Sequence, residues 1–443
     1  MNILLYTCNQ INSLKLAIRT IEYLKTMWPL EFYIVDNYST DGTVTWLQEQ
    51  PHLNFLAFDE GKEKISVVLN TAINEFGIAE DILVMRPNYM LMPNTIIGLE
   101  RFVDNLAVKR AIVGLYCNSF QYTQFINLDK YSADITFDES MDLSYKVELF
   151  VNPNAFFFHK DVYERVDKFD DNFGNILECM EDFSLRAIKL DVPIVVPMAP
   201  IAVFDIDPGN TGINSEFLFD RDILKEKWGM NYFSLKPNYL IVDTVVKSKK
   251  DKLNVLEIGC DNGATLIEIH NKMPNAKIFG VELNEMAADI ASHFAEIYVG
   301  DIEKNFPYEG MSFDFIIFGD VLEHLSNPEK ILEICAEHLC TDGRIVASVP
   351  NVMHISLISE LLKGNFEYSD LGLLDRTHVH LFTYNEIVKM FKKLGLNSLE
   401  IYNIKQREFT ERENEVVEVL LSLEPLAERF MYEAYQYFVI AGK

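Results

Sequence analysis

Six residues in the second half of this 443-residue chain could build a nucleoside site: Glu257, Gly259, Gly263, Glu282, Asp301 and Asp320. Each stands at or just past the end of an apolar, strand-like run. In open α/β sheets ligands gather beyond the carboxyl ends of the strands, and a carboxylate after the second strand suits the two donors of a ribose diol. Asp301, after the third run, is placed to meet a base edge. The turn after the first run has Gly259, Asp261 and Ala264 where a dinucleotide fingerprint needs three glycines. Asp261 would also set a negative charge against a pyrophosphate, so a dinucleotide is disfavoured. A ligand carrying an ammonium and a sulfonium would tolerate that carboxylate.

The elements that must position these residues alternate along the whole chain, which argues α/β layering. The first half opens with a strand-like NILLYT, a run of helical spacing (SLKLAIRTIEYLKTM) and a second strand, EFYIVDN. Ser39, Thr40 and Asp41 are N-cap candidates for the helix that follows. The run ILVM (Ile82–Met85) reads as a buried strand, yet it ends in Arg86-Pro87-Asn88. Near the middle, KSKKDK (Lys247–Lys252) is the densest basic cluster, and a new strand begins right after it. This pattern predicts a first domain over 1–235, a solvated linker over 236–252 and a second domain over 253–443.

Nearly half the residues are apolar and 12% are aromatic, enough for sizeable cores. The net charge of −28 argues against nucleic acid as a partner, because phosphate binding needs clustered Lys and Arg. The six cysteines form no C-x-x-C pair and suit a reducing compartment. No apolar run reaches membrane-spanning length, and the opening MNILLYTCNQ has no basic segment or cleavage site. The expectation is a cytoplasmic protein with no integral membrane segment.

In the second half, VLEIGCDNG, GVELN, GDIE, FDFIIFGDVLEHLSNP and GRIVASVPN follow one another in an order that resembles the class I S-adenosylmethionine-dependent methyltransferases. A later stretch, from VPNVMHISL to LFTYNEI, looks like the branch acting on small molecules and cell-surface sugars. The resemblance implies a Rossmann-like seven-stranded sheet. It implies that Glu257, Gly259 and Gly263 frame the methionine part of the cofactor. Glu282 would then bind the ribose, Asp301 the adenine region, and Asp320 would close the pocket. Methyl transfer to oxygen needs a base near the acceptor hydroxyl, and His324, His378 and His380 are the candidates, His324 first because it follows the cofactor strand. If RTHVHLF is a strand, His378 and His380 share one face.

In the first half, YIVDNYSTDGT resembles the signature of family 2, GT-A type glycosyltransferases, whose sheet is mixed. The downstream KFDDNFGNILECMEDFSLRAIK and FDRDILKEKWG resemble the acceptor half and closing segment of the same family. The resemblance implies that Thr7 and Asp36 line a nucleoside pocket, that Asp41 orders the turn, and that Asp182, with Glu181 beside it, is the catalytic base. Taken alone, that acidic pair also reads as a helix N-terminus stabilised by the dipole. The family usually ends its fourth strand in a D-x-D-like motif that holds a divalent metal, Mg or Mn. Here that slot is Arg86-Pro87-Asn88, and neither side chain is a good ligand. Three readings stay open: Arg86 itself neutralises a leaving diphosphate, the half only binds sugar or glycan, or Asp205, Asp207 or other residues hold a metal. The whole chain is thus expected to be a carbohydrate-modifying transferase with a nucleotide-sugar donor, a sugar or glycan acceptor and S-adenosylmethionine as cofactor. The alternative is a methyltransferase with a non-catalytic binding module.

Overall fold

Ile82–Met85 is apolar at every position, the pattern of a strand covered on both faces, and all four residues are buried. It lies in a computed structural model that describes residues 1–105, 110–118, 124, 141–207, 220–229, 236–396, 398–424 and 426–443. These fall into two compact units, Met1–Lys236 and Pro237–Lys443.

The first unit contains β1 (Asn2–Thr7), β2 (Glu31–Asn37), β3 (Phe55–Phe58), β4 (Ile82–Met85), β5 (Tyr89–Leu91), β6 (Ile112–Gly114), β7 (Tyr116–Cys117), β8 (Tyr145–Val147), β9 (Ala155–Phe158), β10 (Ile194–Pro197) and β11 (Ala202–Asp205). Eight of them form a mixed sheet in the order β3-β2-β1-β4-β9-β6-β10-β8, and β5-β11-β7 form a smaller one. β1 pairs in parallel with β2 and β4, whereas β9 runs antiparallel to β4 and β6. The chain steps outward from β1 to β3 and then returns to the other side of β1. Thr7 and Arg86 stand at the strand ends on either side of the switch point between β1 and β4, the place where open sheets of this kind bind ligands.

The second unit contains β12 (Asn254–Ile258), β13 (Lys277–Glu282), β14 (Glu296–Val299), β15 (Phe313–Gly319), β16 (Leu339–Pro350), β17 (Ser398–Ile404) and β18 (Gln436–Gly442). They form one seven-stranded sheet, β14-β13-β12-β15-β16-β18-β17, in which β18 runs antiparallel to both neighbours. Side chains alternate across it. Leu256, Ile316, Phe318 and Ala347 fill one core face, and Val255, Phe315, Ile317 and Val346 the other. The switch point falls between β12 and β15, so the ends of those strands lie where open sheets bind ligands.

Three expectations need correction. The span 236–252 is not a plain linker: Tyr239–Val246 is a helix capped by Asn238, and its Ile241, Val242 and Val245 are fully buried in the second core. Lys250, from the basic run, pairs with Asp314 at 2.9 Å. The helix Thr43–Gln48 starts from Gly42 in the left-handed region and has no side-chain cap. Ser39 turns instead to Asp36, and Asp41, which stands before Gly42 and not at the cap position, accepts from the Thr43 N–H and also from Ile11 at the start of another helix, Ile11–Lys25. RTHVHLF is not a strand, so nothing places His378 and His380 on a shared face. Residues 230–235, at the expected end of the first domain, and 208–219, which include the first residue of FDRDILKEKWG, lie outside the described residues. Among the described residues no helix is long and apolar enough to cross a membrane.

Candidate functional site

In the first unit the strand ends gather the expected residues, but most of them are already engaged. Asp36 is fully buried and accepts from the Ser39 N–H at 2.9 Å and the Ser39 hydroxyl at 2.5 Å. Burial outweighs those bonds and raises its pKa. Asp41 accepts from the Ile11 N–H at 3.0 Å and from the Thr43 N–H and hydroxyl. Although partial burial works the other way, these bonds hold its carboxyl below the usual range. Asp41 therefore orders two helix starts. Thr7 differs: its hydroxyl is buried at the end of β1 with no hydrogen-bond partner among the described residues.

Arg86 is buried at the end of β4, and Asn88 lies fully buried beyond it. The Asn88 amide donates to Asp205 Oδ1 at 2.8 Å, and the Asp207 N–H donates to the same oxygen at 2.9 Å. One carboxylate, from β11, thus reaches the slot where a metal motif was sought. Among the described residues of this unit no group of three His, Cys, Asp or Glu has metal-ligand spacing.

Glu181 and Asp182 both lie on the helix Ile176–Lys189 but point into different surroundings. Asp182 is fully buried and accepts from Arg186 at 2.8 Å, Trp228 Nε1 at 3.0 Å and Lys227 at 2.7 Å. With both oxygens held by cations and an indole, it is poorly placed to take a proton from an acceptor. Glu181 pairs bidentately with Arg221, which also reaches Glu178 at 3.3 Å. Burial, partly offset by Arg221, pushes the Glu181 pKa up to about 7. Asp182 thus ties its helix to Lys227 and Trp228, while Glu181 is held by Arg221. Lys227 and Trp228, which seal Asp182, carry no local signal that would have revealed this.

In the second unit the strand ends form a floor of acids. Glu257 is buried near the end of β12, and its Oε2 has no hydrogen-bond partner among the described residues. Burial, then the charges of Asp261 and Glu282, push its pKa up to about 8. Above it the backbone turns through Gly259 at φ +68°, where an added Cβ would lie 2.6 Å from Val321 Cγ2. Gly263 starts the helix Ala264–Lys272 from the left-handed region. Asp261 stands in the same region at φ +50°, which aspartate tolerates better than most residues. Its N–H donates to Glu282 Oε2 at 2.8 Å, and Glu282 Oε1 accepts from the Asn284 N–H at 2.8 Å. Asp301 accepts from the Glu303 N–H at 2.9 Å and pairs with Lys304 at 3.2 Å; the first of these holds its pKa down most.

Asp320 follows β15 at φ +56°; its N–H donates to the Ser348 hydroxyl at 3.0 Å and its carboxylate accepts from Gln436. Although Asp320 is exposed at its edge, crowding by neighbouring protein desolvates its carboxylate and raises its pKa, against those hydrogen bonds and against His324 and His378. The two imidazoles meet edge to face with centroids 4.9 Å apart. Glu323, between Asp320 and His324 in sequence, is buried with Oε1 3.9 Å from His378 Nε2. In the sequence Glu323 stands at this strand end with Asp320 and His324 but carries no assigned role; the D-x-x-E-H spacing was its one available signal. His380 turns away, toward the Ser326 carbonyl at 3.2 Å.

Residues 237–401 match a family model described as "Methyltransferase domain". The second unit carries a methyltransferase domain. The chain is 22% identical over 209 residues to a ubiquinone biosynthesis O-methyltransferase of Coxiella burnetii, covering 44% of this chain and 88% of that protein. Among solved structures, a SAM-dependent methyltransferase from Archaeoglobus fulgidus aligns at 20% identity and TM-score 0.33, covering 50% of this chain and 99% of the other. A SAM-dependent methyltransferase from Thermotoga maritima, described as a possible histamine N-methyltransferase, aligns at 17% identity and TM-score 0.33, covering 51% and 94%. The acid floor and the His324–His378 pair both belong to this methyltransferase domain.

Proposed function

We propose that the methyltransferase domain binds S-adenosylmethionine over the β12–β15 switch point and methylates a hydroxyl of a sugar or surface-glycan precursor. The observation that carries the cofactor assignment is the orphaned, buried Oε2 of Glu257. A buried carboxylate without a partner is costly, and a ligand ammonium would satisfy it. Gly259 keeps the backbone bare where a ligand must approach. The remaining lone pairs of Glu282 suit a ribose diol. Asp301 orders the turn beside the adenine region, and Asp320 borders the transfer site. When bound, the cofactor supplies an electrophilic methyl group on a sulfonium. The acceptor hydroxyl would meet the cluster of Glu323, His324 and His378 beside Asp320 and lose its proton there. Calorimetry with S-adenosylmethionine, followed by mass detection of methylated sugar, tests the reading; no binding of the cofactor would sink it.

The sugar acceptor rests on the first unit, which we read as a GT-A-like nucleotide-sugar site. The unpartnered Thr7 hydroxyl at the β1–β4 switch point favours this second reading. Arg86 would face the diphosphate and Glu181 the acceptor. Transfer and hydrolysis assays over a panel of nucleotide sugars, with and without chelator, decide it. Chelator-resistant turnover supports Arg86 as the neutralising cation; binding without turnover makes the unit a glycan-binding module.

A further inference from the structure

We propose that Glu323, His324 and His378 of the methyltransferase domain form a binding site for one divalent transition-metal ion. Their ligand atoms all lie within 4.8 Å of one another. Ligands bonded to one ion at about 2.1 Å sit about 3–4 Å apart, so a small inward rotation of the side chains closes the set.

The hydrogen bonds around the histidines point the same way. Nδ1 of His324 lies 3.2 Å from the Thr377 carbonyl, and Nδ1 of His378 lies 3.2 Å from the Leu373 carbonyl. A carbonyl can only accept, so each Nδ1 carries the proton and each Nε2 keeps its lone pair. Metal-binding histidines are usually held this way, with the second nitrogen donating to a carbonyl or carboxylate. At His378 that lone pair faces Glu323.

Glu323 supplies an independent observation. It is 1% exposed, and its Oε2 has no hydrogen-bond partner among the described residues. Its carbonyl accepts from the N–H groups of Val379 and His380 at 2.9 and 3.1 Å, which pins the His378 segment over the η-turn Leu322–His324. A buried, unpaired carboxyl beside two lone pairs is unfavourable as it stands. A divalent cation resolves all three groups at once.

Two imidazoles and one carboxylate favour a first-row transition ion over magnesium or calcium, which prefer all-oxygen sets. Three protein ligands leave positions open, as in catalytic rather than structural sites. His324 is exposed at the cleft, so the open side faces the acceptor. The role of the ion rests on the methyl-transfer reading. It would act as a Lewis acid on the acceptor hydroxyl, the O–H bond breaking and its proton passing to the Asp320 carboxylate, so that the oxygen attacks without a free imidazole base.

The test is direct titration of chelator-treated full-length protein with CoCl2, read by visible d–d absorption. Saturable binding of one ion per chain is expected, with loss of affinity by more than about 100-fold in both Glu323→Gln and His324→Ala. Failure to saturate, or equal binding in both variants, overturns the site and marks any bound ion as adventitious. Melting curves check folding; should Glu323→Gln unfold, the exposed His324→Ala decides. Calorimetry with S-adenosylmethionine on the same metal-free sample separates the two proposals. Cofactor binding without cobalt binding removes the metal site alone, and cobalt binding without cofactor binding removes the methyl-transfer reading alone.

Discussion

The N–H of Asp261 donates to Oε2 of Glu282 at 2.8 Å, which ties the turn after β12 to the end of β13. The other oxygen of Glu282 is held by Asn284. A carboxylate can accept from both backbone groups, but an amide cannot: Glu282→Gln sets an NH2 against one N–H. Leaving that donor unsatisfied should cost about 1–3 kcal/mol and weaken S-adenosylmethionine binding together with it. Thermal melting and calorimetry read the two effects. Binding lost with an unchanged melt would show that the turn does not depend on Glu282.

Glu257 predicts a pH dependence with a definite sign. Its carboxyl rises from 4.5 when unfolded to about 8 when folded. Between those values the folded protein keeps a proton that the unfolded chain has lost, so stability falls as pH rises through the window. The melting temperature of unliganded protein should therefore decline from about pH 5 to about pH 8, and Glu257→Gln should flatten that decline. A cationic ligand needs the ionised form, so affinity should climb up to about tenfold per pH unit in the same range, with proton release. Calorimetry in buffers of different ionisation enthalpy measures the release. Glu257→Gln should lower affinity about 10- to 100-fold and abolish the pH slope.

Gly259 tests the cradle. Gly259→Ala meets two obstacles, the φ of +68° and the Val321 methyl at 2.6 Å. Together these should cost about 1–3 kcal/mol. Adding Val321→Ala removes the contact but not the backbone strain, so the double variant should recover part of the loss in a urea melt. Full recovery would show that the left-handed backbone is not costly here.

Asp182 and Glu181 should separate cleanly. Asp182→Asn leaves Arg186 and Lys227 facing a neutral group in a buried setting, which should destabilise by about 3 kcal/mol. Glu181 is also buried, but its pKa of about 7 leaves the neutral form well populated near neutral pH, so Glu181→Gln should destabilise less than Asp182→Asn. Under the sugar-transfer reading, Glu181→Gln removes turnover with the smaller loss of stability. Turnover that survives in Glu181→Gln would return the base role to another residue.

The residues legible in the sequence were those set by local pattern. Glu257 and Glu282 stand at the ends of apolar runs whose length fixes where a strand stops, whereas the seven-stranded sheet was implied by the family resemblance and not by that pattern. What stayed hidden depended on distant partners. The helix Tyr239–Val246 is only 8 residues long, and its apolar face has meaning only against a sheet that starts later in the chain. Asp182 looks free until Lys227 and Trp228 fold over it. His378 reaches His324 through a loop with no regular period, so the strand face on which His378 and His380 were expected together does not form.

The acid floor also bears on turnover. Asp261 and Glu282 add to the cost of ionising Glu257, and a cation beside it relieves that cost. A methyl donor enters with a sulfonium and leaves as a neutral thioether. The spent molecule therefore gives up one of the attractions that drew it in, while the walls are unchanged. If the donor binds over Glu257 as proposed, such a lining should favour fresh donor over spent thioether.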